Sequence, residues 1–555
     1  MSNIKKFFTD WCVEKTVFVF YILFLFWTIS IHEPWFDEMQ AWAIAKTAPL
    51  KDLLFLIPHY EGHPPFFHLL LAVPARLGVP WQIGLRFACV CCSLVSAYLI
   101  LFKAPFSRWV RCCLPFTFFL FYQYGVIARP YSMLVLILIL AAICFPSKNA
   151  KPFLFTCLLG LMCAFHLFGI AIAGGMAAAW LLEIKDQQSW KEFFLSLRTD
   201  KRFHYLLGLL AWAVLMLVMI MPASDAWANN FQRIMPVWKQ AIYLLLALPA
   251  DAVLTDVYDE VYALQTINIP IGMIINAAIV GLLVWGTVFF TLPRKYWKYM
   301  LLPYTFLIGV MFFYCARQHI GMCVLVALFA FWIAFAEGEG NKVEHPFIKA
   351  GMKIMFAFMM CMSLLWTVGN VYHDAKYSFF PGKEILAFLK KHRLEGKHIM
   401  STWFSATAAY SIFQESERPE QPDQVNVTVF GTEISFFAGK NIFFNFNEGT
   451  EKTYRLHRYS NKKIQDETFA KWKENGLPEV LFGYADLDKV YGGEKITDQY
   501  VPVFQIFIYD MWKLFIPHRY TEHIYIRSDL VKSHGFEKNI YKVAPPVVFV
   551  QNNSI

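Results

Sequence analysis

The sequence predicts a multi-pass α-helical membrane protein with a C-terminal folded domain of α/β or α+β type, and three observations lead there. Of the 555 residues 57% are hydrophobic, 18% aromatic and only 16% charged, which is too apolar for a water-soluble globule. Apolar runs alternate with short polar loops as far as residue 371. From Tyr372 onward the chain takes on the mixed composition of a folded soluble domain. The net charge of +9 belongs to the first part, with 27 Lys and Arg against 19 Asp and Glu before residue 372 and 23 against 22 after it. The excess therefore sits in membrane loops, where it sets topology, and it is no sign of nucleic-acid binding. All twelve cysteines precede residue 372, so no disulfide can hold the C-terminal region. Cys89-Val90-Cys91-Cys92 and Cys112-Cys113 read as apolar thiols buried in helices.

The elements follow in order. Thr16 to Ile31 is almost wholly apolar, follows Lys5, Lys6 and Lys15, and runs into His32-Glu33-Pro34-Trp35 with no small-residue cleavage site. An uncleaved first helix with a cytoplasmic N-terminus is expected. Pro65 to Gly78 carries His68 and Arg76 and is too short to span, since a crossing helix needs about 20 residues. Residues 32–82 are accordingly expected as one long outer loop on the membrane surface, with helical stripes at Trp35, Met39, Trp42, Ala43 and at Leu50, Leu53, Leu54, Ile57. Ile83 to Phe102 should then end inside, and the basic loop of Lys103, Arg108 and Arg111 agrees. Further spans are expected over 112–127, 130–145, a hairpin over 153–182, 204–221, 269–292, 300–315, 320–336 and 350–371, about eleven in all. The membrane domain is thus 1–371 and the outer soluble domain 372–555. In the latter, Lys383 to His392 has helical spacing, and Val425 to Phe430, Val480 to Phe482 and His523 to Arg527 read as β-rich runs. Asn426-Val427-Thr428 fits the N-glycosylation pattern.

This topology gathers ionisable residues on the outer side. Asp37, Glu38, Glu61 and His63 lie in the first outer loop; Arg129 and Tyr131 cap the third helix; His166 stands at the turn of the hairpin; Arg317 and His319 occupy a later outer turn. Charged groups beside hydrocarbon are costly and mark a functional site. Transfer of a sugar from a lipid phosphate needs a carboxylate to take the acceptor hydroxyl's proton and cations where the leaving phosphate gathers charge. Asp37 suits the base, Glu61 a second orienting carboxylate, and Arg129, Arg317 and His319 a phosphate clamp. Each also has a plainer reading. Asp37 and Glu38 suit a helix N-terminus after Pro34, Glu61-Gly62-His63-Pro64-Pro65 an ordinary turn, and Arg129 and Arg317 interfacial anchors that snorkel to headgroups.

Three features resemble the GT-C superfamily of polyprenyl-phosphate-sugar glycosyltransferases, in particular bacterial relatives of protein O-mannosyltransferases and the lipid A aminoarabinose transferase. They are Asp37-Glu38 after the first helix, Gly62-His63-Pro64-Pro65 before an interfacial helix, and Ala128-Arg129-Pro130-Tyr131 at the end of the third helix. The resemblance implies a GT-C fold, an inverting transfer with Asp37 as general base, and Glu61 as the second loop carboxylate. It also implies a polyprenyl-phosphate-linked monosaccharide as donor, with an envelope glycan, lipid or protein as acceptor. Glu38, His63, Arg129, Tyr131, His166, Arg317 and His319 would bind substrate, and the location would be an inner membrane. The chain departs from the aminoarabinose transferase at Gly62, where that enzyme has lysine. Family members differ in metal use, so a divalent cation on Asp37 or Glu38 is a further expectation. Two other readings stand beside the enzyme. A transporter or flippase of lipid-linked sugars would place charges near the bilayer midplane, and a non-catalytic envelope scaffold would only bind glycan.

Overall fold

The computed structural model describes residues 2–186, 188–230, 233–259, 263–338, 346–377, 382–401, 429–443, 452–457, 474, 476–483, 497–510, 512–513 and 518–536. The chain divides into two compact units, Met1–Ser30 with Leu50–Val371, and Ile31–Pro49 with Tyr372–Ile555. The first holds the apolar helices. Asn426 and Glu260 lie outside the described residues.

The chain opens with α1 (Ser2–Ile31) and α2 (Phe36–Thr47), of which α2 belongs to the second unit. Three short helices follow, α3 (Leu50–Phe55), α4 (Pro58–Glu61) and α5 (Phe66–Arg76). The eleven residues of α5 cannot cross a bilayer, as its polar His68 and its Gly78-Val79-Pro80 ending led us to expect. Next come α6 (Trp81–Lys103) and α7 (Arg108–Cys113). The stretch 112–127, expected as one helix, is broken instead. Pro115 lacks an N–H and ends α7 in a 3-10 turn at Leu114–Phe116, after which Phe119–Val126 winds as a π-helix.

The bundle continues through α8 (Tyr131–Cys144), α9 (Pro152–Phe165), α10 (Leu167–Asp186), α11 (Trp190–Ser196) and α12 (Lys201–Ile220). Short α13 (Trp227–Asn230), α14 (Val237–Ile242) and α15 (Leu248–Val253) lead to α16 (Ile271–Thr291), α17 (Trp297–Phe313), α18 (Met322–Ala336) and α19 (Pro346–Lys376). Among the described residues seven stretches are long and apolar enough to span: Val13–Ile31, Trp81–Lys103, Leu167–Asp186, Lys201–Ile220, Ile271–Thr291, Arg317–Ala336 and Pro346–Lys376. The protein is a multi-pass helical membrane protein. Leu207, Leu210, Val214 and Val218 of α12 are exposed, an apolar surface that lipid solvates and water would not.

The helices pack by close approach as well as by side-chain bulk. A Cβ at Gly175 would overlap the backbone of Pro303, so α10 and α17 meet main chain to main chain. Toward the basic ends of the helices, acids are buried in pairs. Glu14 meets Arg111 at 2.8 Å, and Glu183 meets Lys148 at 2.8 Å while accepting the Tyr299 hydroxyl at 2.5 Å.

In the second unit, β1 (Ile399–Ser401), β2 (Val480–Gly483), β3 (Tyr500–Asp510) and β4 (His518–Arg527) form one sheet in the order β1-β2-β4-β3. β1 runs parallel to β2 and the other pairs are antiparallel, with Val480 opposite Ile526 and Tyr500 opposite Arg527. Register shifts between Pro502 and Phe504, where proline cannot donate to the ladder, and β3 accordingly takes an edge. Helix α20 (Gly382–Lys391) buries Ile385, Phe388 and Leu389, and the Phe388 ring lies 4.4 Å from that of Phe504. Val429 and Phe430, expected in a strand, begin helix α21 (Val429–Ala438) instead. Val425 to Thr428 fall outside the described residues.

Candidate functional site

In the first unit the ends of α5, α8, α10 and α18 bring five of the expected residues together. Gly62 ends α4 in the left-handed region at φ 65°, its N–H on the Pro58 carbonyl. That turn delivers His63, and Pro64 and Pro65 then start α5. Arg129, held just before Pro130 at the start of α8, donates from Nη2 to His63 Nε2 at 2.8 Å. The His63 and His166 rings are 4.5 Å apart, His166 lies 5.0 Å from Tyr131, and His319 lies 5.8 Å from His166 and 6.2 Å from Tyr131. All five side chains are buried.

Hydrogen bonds fix how these imidazoles face. The backbone N–H of Phe168 donates to His166 Nδ1 at 3.1 Å, and that of Ala316 to His319 Nδ1 at 2.9 Å. A nitrogen that accepts carries no proton, so each ring keeps its hydrogen on the other nitrogen. For His63, which accepts from Arg129 at Nε2, that is Nδ1; for His166 it is Nε2. Both atoms are buried with no hydrogen-bond partner among the described residues. Burial first, then His166 and Arg129, hold His63 well below the usual histidine range; burial, His319 and Arg129 do the same to His166. The cluster therefore presents N–H donors and a guanidinium, which is the chemistry of an anion site.

Arg317 shares the turn with His319 and is buried, but its Nη1 donates to the Asp259 carbonyl at 2.6 Å. The loop that offers this carbonyl is organised by a residue the sequence reading passed over as one acid among several. Asp251, fully buried, accepts from Tyr243 OH at 2.5 Å, Thr255 Oγ1 at 3.2 Å, Val257 N at 2.7 Å and Tyr258 N at 3.1 Å. The Tyr258 hydroxyl then donates to the Cys315 carbonyl at 2.9 Å, tying the loop to the turn that carries Arg317 and His319. Glu61 closes α4, two residues before His63. His68 on α5 is also buried with neither ring nitrogen bonded among the described residues, a feature no sequence signal marks.

Asp37 and Glu38 belong to the second unit, in the first turn of α2. Glu38 is fully buried. Its Oε2 accepts the Trp35 N–H at 3.0 Å and meets His32 Nε2 at 3.1 Å, so this carboxylate is committed to its own helix start. His32 Nδ1 in turn meets Asp374 Oδ2 at 2.8 Å. Neither His32 nor Asp374 was singled out from the sequence. An oxygen-ligated divalent cation does not fit the Asp37-Glu38 pair. Such an ion takes six or more oxygens, and among the described residues no three His, Cys, Asp or Glu gather for a metal.

No family model matches this chain, and neither a curated protein nor a solved structure does.

Proposed function

We propose that the chain is an integral-membrane glycosyltransferase of GT-C type, moving a hexose or pentose from a polyprenyl-phosphate donor to an envelope glycan, lipid or protein on the outer face. The observation that carries this reading is the buried convergence of Arg129 with His63, Tyr131, His166 and His319 in a multi-pass membrane protein. A guanidinium and imidazole N–H groups facing inward await an anion, and the anion native to a bilayer is a lipid phosphate. In this reading the shorter apolar helices Tyr131–Ser147 and Pro152–Phe165 help bring the span count to about eleven. The N-terminus is cytoplasmic, the C-terminal domain is extracytoplasmic, and the membrane is the inner one.

The reaction is one inverting displacement. The acceptor oxygen bonds to the anomeric carbon, the bond from that carbon to the phosphate oxygen breaks, and the acceptor's proton passes to a carboxylate. Arg129 and the imidazole N–H groups hold the charge that collects on the departing phosphate. The base is Asp37, by the resemblance in its Asp-Glu pair, with Glu61 orienting sugar or acceptor and Arg317 adding positive charge to the His319 turn.

The test is transfer of radiolabelled sugar from a panel of polyprenyl-phosphate monosaccharides to envelope extract, comparing wild type, Asp37→Asn and Arg129→Gln. Transfer lost in Asp37→Asn with donor binding retained supports the base. Equal transfer in wild type and Asp37→Asn removes Asp37 from the mechanism. Absence of transfer with every donor, with lipid phosphate still bound, gives the chain to the transporter or scaffold readings.

A further inference from the structure

The second unit contains a charge arrangement that the proposed reaction does not use. His32 directly follows α1, Glu38 is the third residue of α2, and Asp374 lies near the C-terminal end of α19. Both ring nitrogens of His32 face carboxylate oxygens, Nε2 toward Glu38 at 3.1 Å and Nδ1 toward Asp374 at 2.8 Å. Each nitrogen can bond a carboxylate only as a donor, so the ring is an imidazolium. Burial works against that charge, but Asp374 and Glu38 outweigh it and raise the histidine to about 9. His373 stands 3.9 Å from Asp374, and Glu33, beside His32 in sequence, faces Lys383 at 4.0 Å. Glu38 also caps the α2 backbone through Trp35, so the cation is bonded to the very turn that carries Asp37. Farther along α2, Gln40 accepts the Arg455 N–H at 3.1 Å and donates to the Arg455 carbonyl, a second fixed point for the helix.

We infer that His32, clamped between Glu38 and Asp374, is the positioning residue for Asp37, coupling the first turn of α2 to the end of α19. A single ring bonded on both edges sets both the tilt and the rotation of that turn. The direction of the Asp37 carboxylate is thereby set from a helix more than three hundred residues away, since His32 and Asp374 are 342 positions apart. The inference rests on the reading of Asp37 as the base.

The test uses the full-length protein in nanodiscs and has two independent readouts. In the transfer assay, His32→Gln should lower kcat roughly tenfold to a hundredfold with the donor KM unchanged, as a misaimed base does. His32→Lys, which restores a cation between the carboxylates, should recover most of the loss, and Asp374→Asn should add nothing to His32→Gln. Wild-type kcat in His32→Gln, a changed donor KM, or additive losses would overturn the inference. The second readout needs no activity. A thiol introduced as Asp37→Cys is labelled with a charged methanethiosulfonate, and the peptide holding residue 37 is read by mass spectrometry. The labelling rate should change several-fold when Asp374→Asn or His32→Gln is added, and an unchanged rate overturns the positioning. If wild type transfers no sugar, the base reading falls while the labelling still decides whether His32 aims residue 37.

Discussion

Two histidine sites in this protein are equally buried and are set in opposite charge states. His32 stands between two carboxylates and is an imidazolium. His63 and His166 stand beside Arg129 and each other, with their accepting nitrogens already filled, and are neutral. Burial pushes all three the same way, toward neutrality. What separates them is the sign of the neighbour. Depth in the fold does not tell which histidines carry charge; the company they keep does. The first arrangement ties chain to chain, while the second leaves donors unspent for something not part of the chain.

The contrast can be broken most severely at Arg129. Arg129→Gln removes the fixed cation from the donor cluster, and transfer should fall by about a hundredfold to a thousandfold, as when a charge-stabilising donor is deleted. Lipid-phosphate binding should weaken in parallel, measured with a short-chain alkyl phosphate in nanodiscs. At the other site, Glu38→Ala strips one carboxylate from a buried charge and uncaps α2. Breaking a buried pair costs about 3–5 kcal/mol, so thermal unfolding in detergent should show a large drop, and the same substitution at exposed Glu192 a small one.

A pH series sharpens the comparison because the two sites lose stability on opposite sides of neutrality. The pKa of His32 is raised in the fold, so its contribution is complete below the ordinary histidine value near 6.5 and is lost as pH climbs through about 9. His63 and His166 are lowered, so their contribution is complete above about 6.5 and is lost as pH falls below it. The melting temperature should therefore drop on the alkaline side in wild type and less so in His32→Gln. On the acid side the drop should lessen in His63→Asn/His166→Asn. A drop of the same size in wild type and variant on either limb would remove the corresponding site from the account.

The smallest effect belongs to the turn before His63. Gly62 has φ 65°, where a side chain costs about 1–2 kcal/mol, so Gly62→Ala should destabilise by that order and Gly62→Asn by less. Equal effects of Ala and Asn would mean that the loss comes from somewhere other than backbone strain.

Much of the membrane unit was legible because hydrocarbon imposes simple demands. The long apolar runs that became α6, α12 and α16 were visible as length and composition, and the brevity of α5 followed from its polar His68 and its Gly78-Val79-Pro80 ending. The turn at His166 and the basic stretch around Arg111 were likewise readable. The break at Pro115 was signalled by the proline itself but lost in a run of aromatic residues. Glu38 at the third position of its helix matches a cap pattern, yet Trp35 is an unusual capping neighbour and His32 looked like the frayed end of a span. Asp374 could not be found from the sequence at all, because nothing local links it to a histidine 342 positions earlier. Asp251 fails for the same reason in miniature, since four hydrogen bonds from a folded loop leave no pattern in one dimension.

The wide-wound segment Phe119–Val126 has a consequence for how the cluster is aimed. A π-turn carries one residue more than the α-helix it interrupts, so it works as a phase adjuster, and this one finishes three positions before Arg129. Removing a single residue there would let the segment relax into an ordinary helix and swing everything after it by about 100° around the axis. Indels in this stretch therefore read out as misdirected arginine rather than as lost helix, and the length of those eight residues is as much a determinant of the anion site as the residues that line it.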